Sequence, residues 1–122
     1  MYENLSILRL SSALAGHSAQ RQALTARNIA NADTPGFKAR DLASFGDTYQ
    51  TAMRETRAGH IGPRSFGEPV ADLSTAASPN GNTVSLEREM VRAAEIRHQH
   101  DLALSVYRSS LGIIRTSLGR GR

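Results

Sequence analysis

The chain has no cysteine and no tryptophan, and only three tyrosines and three phenylalanines. Each shortage removes a class of protein. Without cysteine there is neither a disulfide framework nor a thiolate metal centre, although the compartment stays open, because cysteine-free proteins occur on both sides of membranes. With 39% hydrophobic residues in a length of 122, there is material for one domain but not for a large buried interior. No apolar run approaches the roughly 18 to 20 residues of a membrane span. In the opening residues MYENLSILRL, Glu3 and Arg9 interrupt the basic start and apolar core of a cleavable secretory leader. Any export is therefore expected to use another route.

Lysine is almost absent as well: Lys38 stands against fourteen arginines, and the formal net charge is +4. Arginine suits phosphate and carboxylate partners through its planar fork. Here the arginines are scattered from Arg9 to Arg122, with acidic residues among them in the C-terminal third. A solvated helix surface of mixed sign explains this better than a nucleic-acid patch. An arginine-rich coiled-coil adaptor that binds nucleic acid is kept as the alternative from a different class.

What is present is helical periodicity at both ends. Residues 2 to 31 contain no proline and one glycine, Gly16, and are rich in Leu, Ala, Arg and Gln. Leu5, Leu8, Ser12, Ala15, Ala19, Gln22, Ala26 and Ile29 follow alternating spacings of three and four, the heptad seam of a coiled coil. Its middle is small, which would admit another helix at close range. The C-terminal third repeats the pattern with Leu86, Met90, Ala93, Arg97, His100, Leu104, Tyr107, Leu111, Ile114 and Leu118. Ser85 is placed to cap that helix, Glu87 and Glu89 sit in its first turn, and Arg115 and Arg120 sit near its end, as the helix dipole favours.

Between the helices, residues 32 to 82 hold all four prolines and six of the ten glycines. A segment so poor in large apolar residues buries too little to offset its ordering entropy. The expectation is a flexible centre over residues 43 to 82, with a short helix near Leu42 to Arg57 and short strands at most. The reading is thus mainly α: an N-terminal heptad helix (1–31), a turn, arm and flexible middle (32–82), and a C-terminal heptad helix (83–122), together one structural domain.

No catalytic or cofactor motif stands out, and the carboxylates show no clustered pairing outside the solvated C-terminal helix. His98 and His100 are two apart and point to different faces of a helix, so one metal ion would not take both. An enzyme is the most distant reading, and no metal or cofactor is expected.

The stretch ARNIANADTPGFKARD, residues 26 to 41, ends the first helix. Asn31 is expected to stop it in a left-handed cap. Asp33 is expected to bond nearby amides, and Thr34 to be extended ahead of proline. Pro35 and Gly36 suit the centre of a type II turn. Phe37 and Lys38 would then leave as an extended arm. An anion cradle would need a helix start, and this is a helix end.

These residues carry a resemblance. Ala26, Asn28, Ile29, Ala30, Asn31, Thr34, Pro35, Gly36, Phe37 and Lys38 match the signature Ala-x-Asn-Ile-Ala-Asn-x-x-Thr-Pro-Gly-Tyr/Phe-Lys of the axial proteins of the bacterial flagellum, the rod, hook and hook-junction family. The similarity covers roughly residues 1 to 42 and 79 to 118. Downstream, NGNTVSLEREMVRAAE resembles the short subunit of the proximal rod more than its short neighbour in the same rod. Ser85 stands where the family usually has an acidic residue.

The resemblance implies a structural subunit that polymerises at the base of the rod and transmits torque in motility. Its terminal helices would pair as a coiled coil, with the Thr-Pro-Gly arm reaching neighbouring subunits. It also implies export by the flagellar type III apparatus without a cleaved signal peptide, and a place in the rod across the periplasm. The implied partners are other copies, neighbouring rod and basal-body proteins and the export apparatus, with no nucleic acid and no small-molecule substrate.

Overall fold

The computed structural model describes residues 2–54, 69–72 and 76–119. In chain order the elements are α1 (Tyr2–Ala30), β1 (Arg40–Asp41), α2 (Phe45–Arg54), β2 (Val70–Ala71) and α3 (Leu86–Gly119). At about 1.5 Å per residue, the 29 residues of α1 and the 34 of α3 give rods of roughly 44 and 51 Å. They pack against each other, and Asn28 near the end of α1 meets Glu89 near the start of α3, so the pair is antiparallel. The fold is mainly α with paired terminal helices, as the periodicity required.

The packed faces are heptad stripes of small or polar side chains. In α1 the buried residues Ser11, Ser18 and Thr25 recur every seven positions, and in α3 so do Glu89, Ile96, Ala103 and Ser110. Small side chains allow close approach of the axes. Ser11 and Ser110 turn their hydroxyls back onto their own helices, donating to the carbonyls of Ile7 (2.8 Å) and Val106 (2.9 Å). Among the described residues the buried apolar core is only Ala39, Leu42, Ile96 and Ala103.

The stripes read from the sequence are not the ones packed inside the chain. In α1 the expected seam lies one residue further along, a rotation of about 100°. Leu5, Ser12, Ala19, Gln22 and Ala26 are exposed on it, while Leu8, Ala15 and Ile29 are half-buried. In α3 the displacement is partial: Ala93, His100, Leu104, Leu111 and Ile114 flank the packed face half-buried, and Leu86, Met90, Arg97, Tyr107 and Leu118 are exposed. Apolar pattern points to Leu and Ala, whereas the packed face combines Ile96 and Ala103 with Ser, Thr, Asn and Glu, which a hydrophobic reading passes over.

The centre contains more order than its composition implied. Ser44 caps α2: its Oγ accepts from the Asp47 amide (3.3 Å) and donates to Asp47 Oδ2 (2.6 Å), and its carbonyl accepts from the Thr48 amide. The helix spans Phe45–Arg54 inside the expected 42 to 57. β1 and β2 pair antiparallel, Arg40 opposite Ala71 and Asp41 opposite Val70. Much of the stretch expected to be flexible, including Ile61, Phe66 and Leu73, lies outside the described residues.

Candidate functional site at the corner between the terminal helices

The end of α1, the Thr-Pro-Gly turn and the approach to α3 form one hydrogen-bonded knot. The Phe37 amide donates to the Thr34 carbonyl at 3.2 Å and Gly36 has φ +72°, so Pro35 and Gly36 occupy the centre of the expected type II turn. Asn31 ends the helix differently from expectation. No non-glycine residue among those described has positive φ; instead the Asn31 side chain donates to the Arg27 carbonyl (2.8 Å), with Thr34 Oγ1 donating to Asn31 Oδ1 (3.2 Å). Asp33 is exposed, and no hydrogen bond is found for it among the described residues. Its expected role falls to residues from the other side of the knot.

Chief among these is Asn82, 2% exposed. Its Nδ2 donates to the carbonyls of Asn31, Ala32 and Thr34 at 2.8 to 2.9 Å, and its Oδ1 accepts from the Val84 amide at 2.7 Å. Three carbonyls on one side fix the orientation of the amide. Carbonyls that a helix end leaves without intrahelical partners are thereby satisfied by the segment leading into α3. The turn of residues 78–81, closed by Gly81 N–H to the Ser78 carbonyl, aims Asn82 inward. Gly81 has φ +83°, and a side chain there would meet the backbone of Gly36 at 3.5 Å, so the two glycines mark where the turns touch.

Asn28 works from the α1 side. Its side chain donates to the Arg40 carbonyl (2.9 Å) and Glu89 Oε2 (3.3 Å), and accepts from the Arg40 amide (3.2 Å). This changes the expected arm. Residues 37 to 41 do not leave the chain: Phe37 O accepts from the Thr83 amide, Ala39 N–H donates to Thr83 Oγ1, Ala39 O accepts from the Asp72 amide, and Lys38 Nζ donates to Gly81 O. Extended backbone needs partners on its edge, and here the chain supplies its own.

Below the knot lies a network of charges. Arg21 makes a two-pronged contact with Asp41, 2.9 Å on each side. Arg92 reaches Glu89 Oε1 (2.8 Å), Asp72 Oδ2 and, at 3.5 Å, Asp41 Oδ2. Side-chain exposure is 17% or 18% for Arg21, Arg92 and Asp41, 12% for Asp72 and 2% for Glu89. Burial works against the Arg92 charge, yet the Asp72 hydrogen bond and the fields of Glu89, Asp41 and Asp72 outweigh it and raise its pKa. Glu89, expected to act on the helix dipole, is the buried link between Asn28 and Arg92.

Beside this network His17 is buried, its Nε2–H donating to the Ala43 carbonyl (2.9 Å) and its ring edge-on to Phe45, which stacks on Tyr49. Burial is the largest influence on its pKa and lowers it. The Ala43 hydrogen bond raises it, the Arg21 charge lowers it and Asp41 raises it; the net direction is down from 6.5.

The structure thus gathers Asn28, Asn31, Thr34, Gly36, Phe37 and Lys38 of the expected turn motif into one place, while the two expected seams run away from it along the helices. Arg21, Asp41, Asp72, Asn82 and Arg92 are not singled out by the sequence, and Glu89 is singled out there only for the helix dipole. The one visible signal was polar residues at seam-like spacing, Asn28 in α1 and Glu89 with Arg92 in α3. Among the described residues no group of His, Asp and Glu could hold a metal ion, and no helix is long and apolar enough to cross a membrane. The arrangement fixes an angle between chain segments and places no nucleophile beside a base.

The family model described as flagella basal body rod protein matches residues 10–38, most of α1 and the turn that follows it. The flagellar basal body rod protein FlgB of Agrobacterium fabrum is 32% identical over 116 residues, covering 86% of this chain and 87% of that protein. The chain belongs to the FlgB family. The FlgB protein of Salmonella typhimurium is 34% identical over 108 residues (76% of this chain, 78% of that protein), and one from Cereibacter sphaeroides is 39% identical over 94 residues (69% and 73%). The knot around Asn28 and Asn82 is therefore the geometry into which a FlgB-family sequence folds its signature stretch.

Proposed function

We propose that this chain polymerises as a structural subunit of the flagellar basal-body rod. Membership of the FlgB family supports that role directly. The observation that carries the polymerising mechanism is the imbalance of apolar surface. Among the described residues four hydrophobic residues are buried, while eleven large ones, including Leu5, Leu86, Met90, Val91, Leu102, Ile113 and Leu118, are exposed along the two rods. A helix that is apolar on several faces is built to be covered on several faces. The exposed parts of the expected seams, Leu5, Ser12, Ala19, Gln22 and Ala26 in α1 and Leu86, Met90, Arg97, Tyr107 and Leu118 in α3, are the surfaces offered to other subunits.

In this reading the terminal helices of neighbouring copies and other rod proteins pack on those stripes. The rod they form transmits torque across the periplasm, and the chain reaches it through the flagellar type III apparatus without a cleaved signal. The role is mechanical and not enzymatic. The neighbouring short rod protein and the nucleic-acid adaptor are not favoured, since the relatives named above are FlgB proteins. Deleting the gene tests the proposal: loss of rods and motility with normal growth is expected, and a motile deletion strain with complete basal bodies would refute it.

A further inference from the structure

On the outer side of the corner lies an open notch of about 360 Å³, lined by Leu24, Arg27, Asn28, Gly36, Phe37, Lys38 and Arg40. Its charged lining is of one sign. Arg27, Lys38 and Arg40 come from the last turn of α1, the exit of the turn and β1, and all three are exposed. No carboxylate lines the notch. Lys38 is held in place by its bond to the Gly81 carbonyl at 2.9 Å, which leaves its charge uncompensated. Neither Arg27 nor Arg40 forms an ion pair among the described residues, whereas Arg21 and Arg92 on the inner side are saturated with carboxylates. Between the cations, Leu24 and Phe37 are half-buried and give the notch an apolar floor.

Three like charges held around one concavity repel each other and raise the local potential for an anion. The positions are set by backbone that cannot easily relax: Arg40 by the paired bonds of its amide and carbonyl to Asn28, and Lys38 by the turn. Guanidinium forks match carboxylates geometrically, and an aromatic with a leucine beneath them accommodates an apolar side chain next to that carboxylate. A bare phosphate would use the cations and leave the apolar floor empty.

We infer that this notch, bounded by Arg27, Lys38 and Arg40 over Leu24 and Phe37, is a docking site for an acidic segment of a neighbouring rod or basal-body protein, one bearing carboxylates beside an apolar side chain. The inference rests on the rod-subunit reading above and adds to it a specific polar contact, distinct from the apolar helix stripes. It also gives the corner a second role, because the hydrogen bonds of Asn28 and Asn82 hold together the backbone segments that carry the cations.

The test uses the full chain in motile cells. With p-benzoylphenylalanine in place of Arg27, illumination followed by basal-body purification and peptide mass spectrometry is expected to join position 27 to a protein segment carrying more than one carboxylate. A crosslink to a segment without acidic residues, to lipid or to nucleic acid overturns the inference, as does no crosslink in basal bodies that contain the variant. Independently, Arg27→Glu with Arg40→Glu is expected to abolish motility while leaving the far-ultraviolet circular dichroism of the purified chain unchanged, and Arg27→Lys with Arg40→Lys to retain motility. Full motility of the double Glu variant overturns the inference and leaves the rod assignment standing. Absence of the unaltered chain from basal bodies overturns both.

Discussion

Removing the side chain of Asn82 should open the corner without melting the helices. The Nδ2 group has two hydrogens shared among the carbonyls of Asn31, Ala32 and Thr34, and Oδ1 holds the Val84 amide, so Asn82→Ala removes about three hydrogen bonds at a net ~1 kcal/mol each. The site is 2% exposed, so water does not readily replace them. A loss of about 3 kcal/mol corresponds to roughly a 100-fold rise in the open population, at ~1.4 kcal/mol per tenfold. Amide hydrogen exchange reads this locally. The amides of Gly36, Thr83 and Val84, bonded to Asn80 O, Phe37 O and Asn82 Oδ1, should exchange on the order of 100 times faster in the variant, while those around Ala103 in mid-α3 change little. Asn82→Asp, which keeps the acceptor for Val84 but turns a carboxylate toward three carbonyls, should be worse than alanine. An increase of less than about threefold at Gly36 and Thr83 in both variants would mean that the Asn82 bonds do not hold the corner.

Other perturbations give separate readings. Gly36→Ala forces a side chain into φ +72° with nothing within 4 Å of the new methyl, so the cost is conformational, about 1 kcal/mol, seen as a lower thermal midpoint; an unchanged midpoint would place the turn in another geometry. Arg92→Met leaves Glu89, Asp41 and Asp72 facing one another without their shared cation and should destabilise by about 3 kcal/mol in urea melts, with a loss under 1 kcal/mol counting against the network. The lowered pKa of His17 means the folded chain favours the neutral ring. Its contribution is fully present above the ordinary value of 6.5 and is lost as pH falls from there through the folded value, so the thermal midpoint should drop on acidification and do so less in His17→Gln. Equal pH dependence in the two would exclude His17 as the cause. Ala19→Glu alters an exposed position of the expected α1 seam, so the isolated subunit should keep its helicity while the cells lose motility.

The helices were legible because their signals are local: leucine and alanine content, heptad spacing, and a proline-glycine turn whose Gly36 takes the required positive φ. The position of the packed stripe was not. Hydrophobic spacing locates faces that water disfavours, and in this chain the largest such faces are open. On the face closed within the chain Ser18 and Thr25 are buried and Asn28 bonds to Glu89, a contact whose value depends on a partner far away in sequence. Asn82 shows the same limit: Asn80-Gly81-Asn82 reads as an ordinary turn until the end of α1 is placed against it. That residues 37 to 41 bond to their own chain is illegible for a related reason, since an extended segment after a rigid turn carries no local sign of whether its edge is met by its own chain or by another.

If the chain assembles as proposed, the helix stripes left open in the single chain are covered in the rod. Because the chain has no cysteine, Ala19→Cys provides a unique thiol on the open α1 stripe, and maleimide labelling can be compared between the isolated subunit and purified basal bodies from a motile strain. Rapid labelling of the isolated subunit and strong protection in basal bodies that contain the variant are expected. Equal labelling in the two, or a variant absent from the basal bodies of motile cells, would mean that the stripe stays open in the rod.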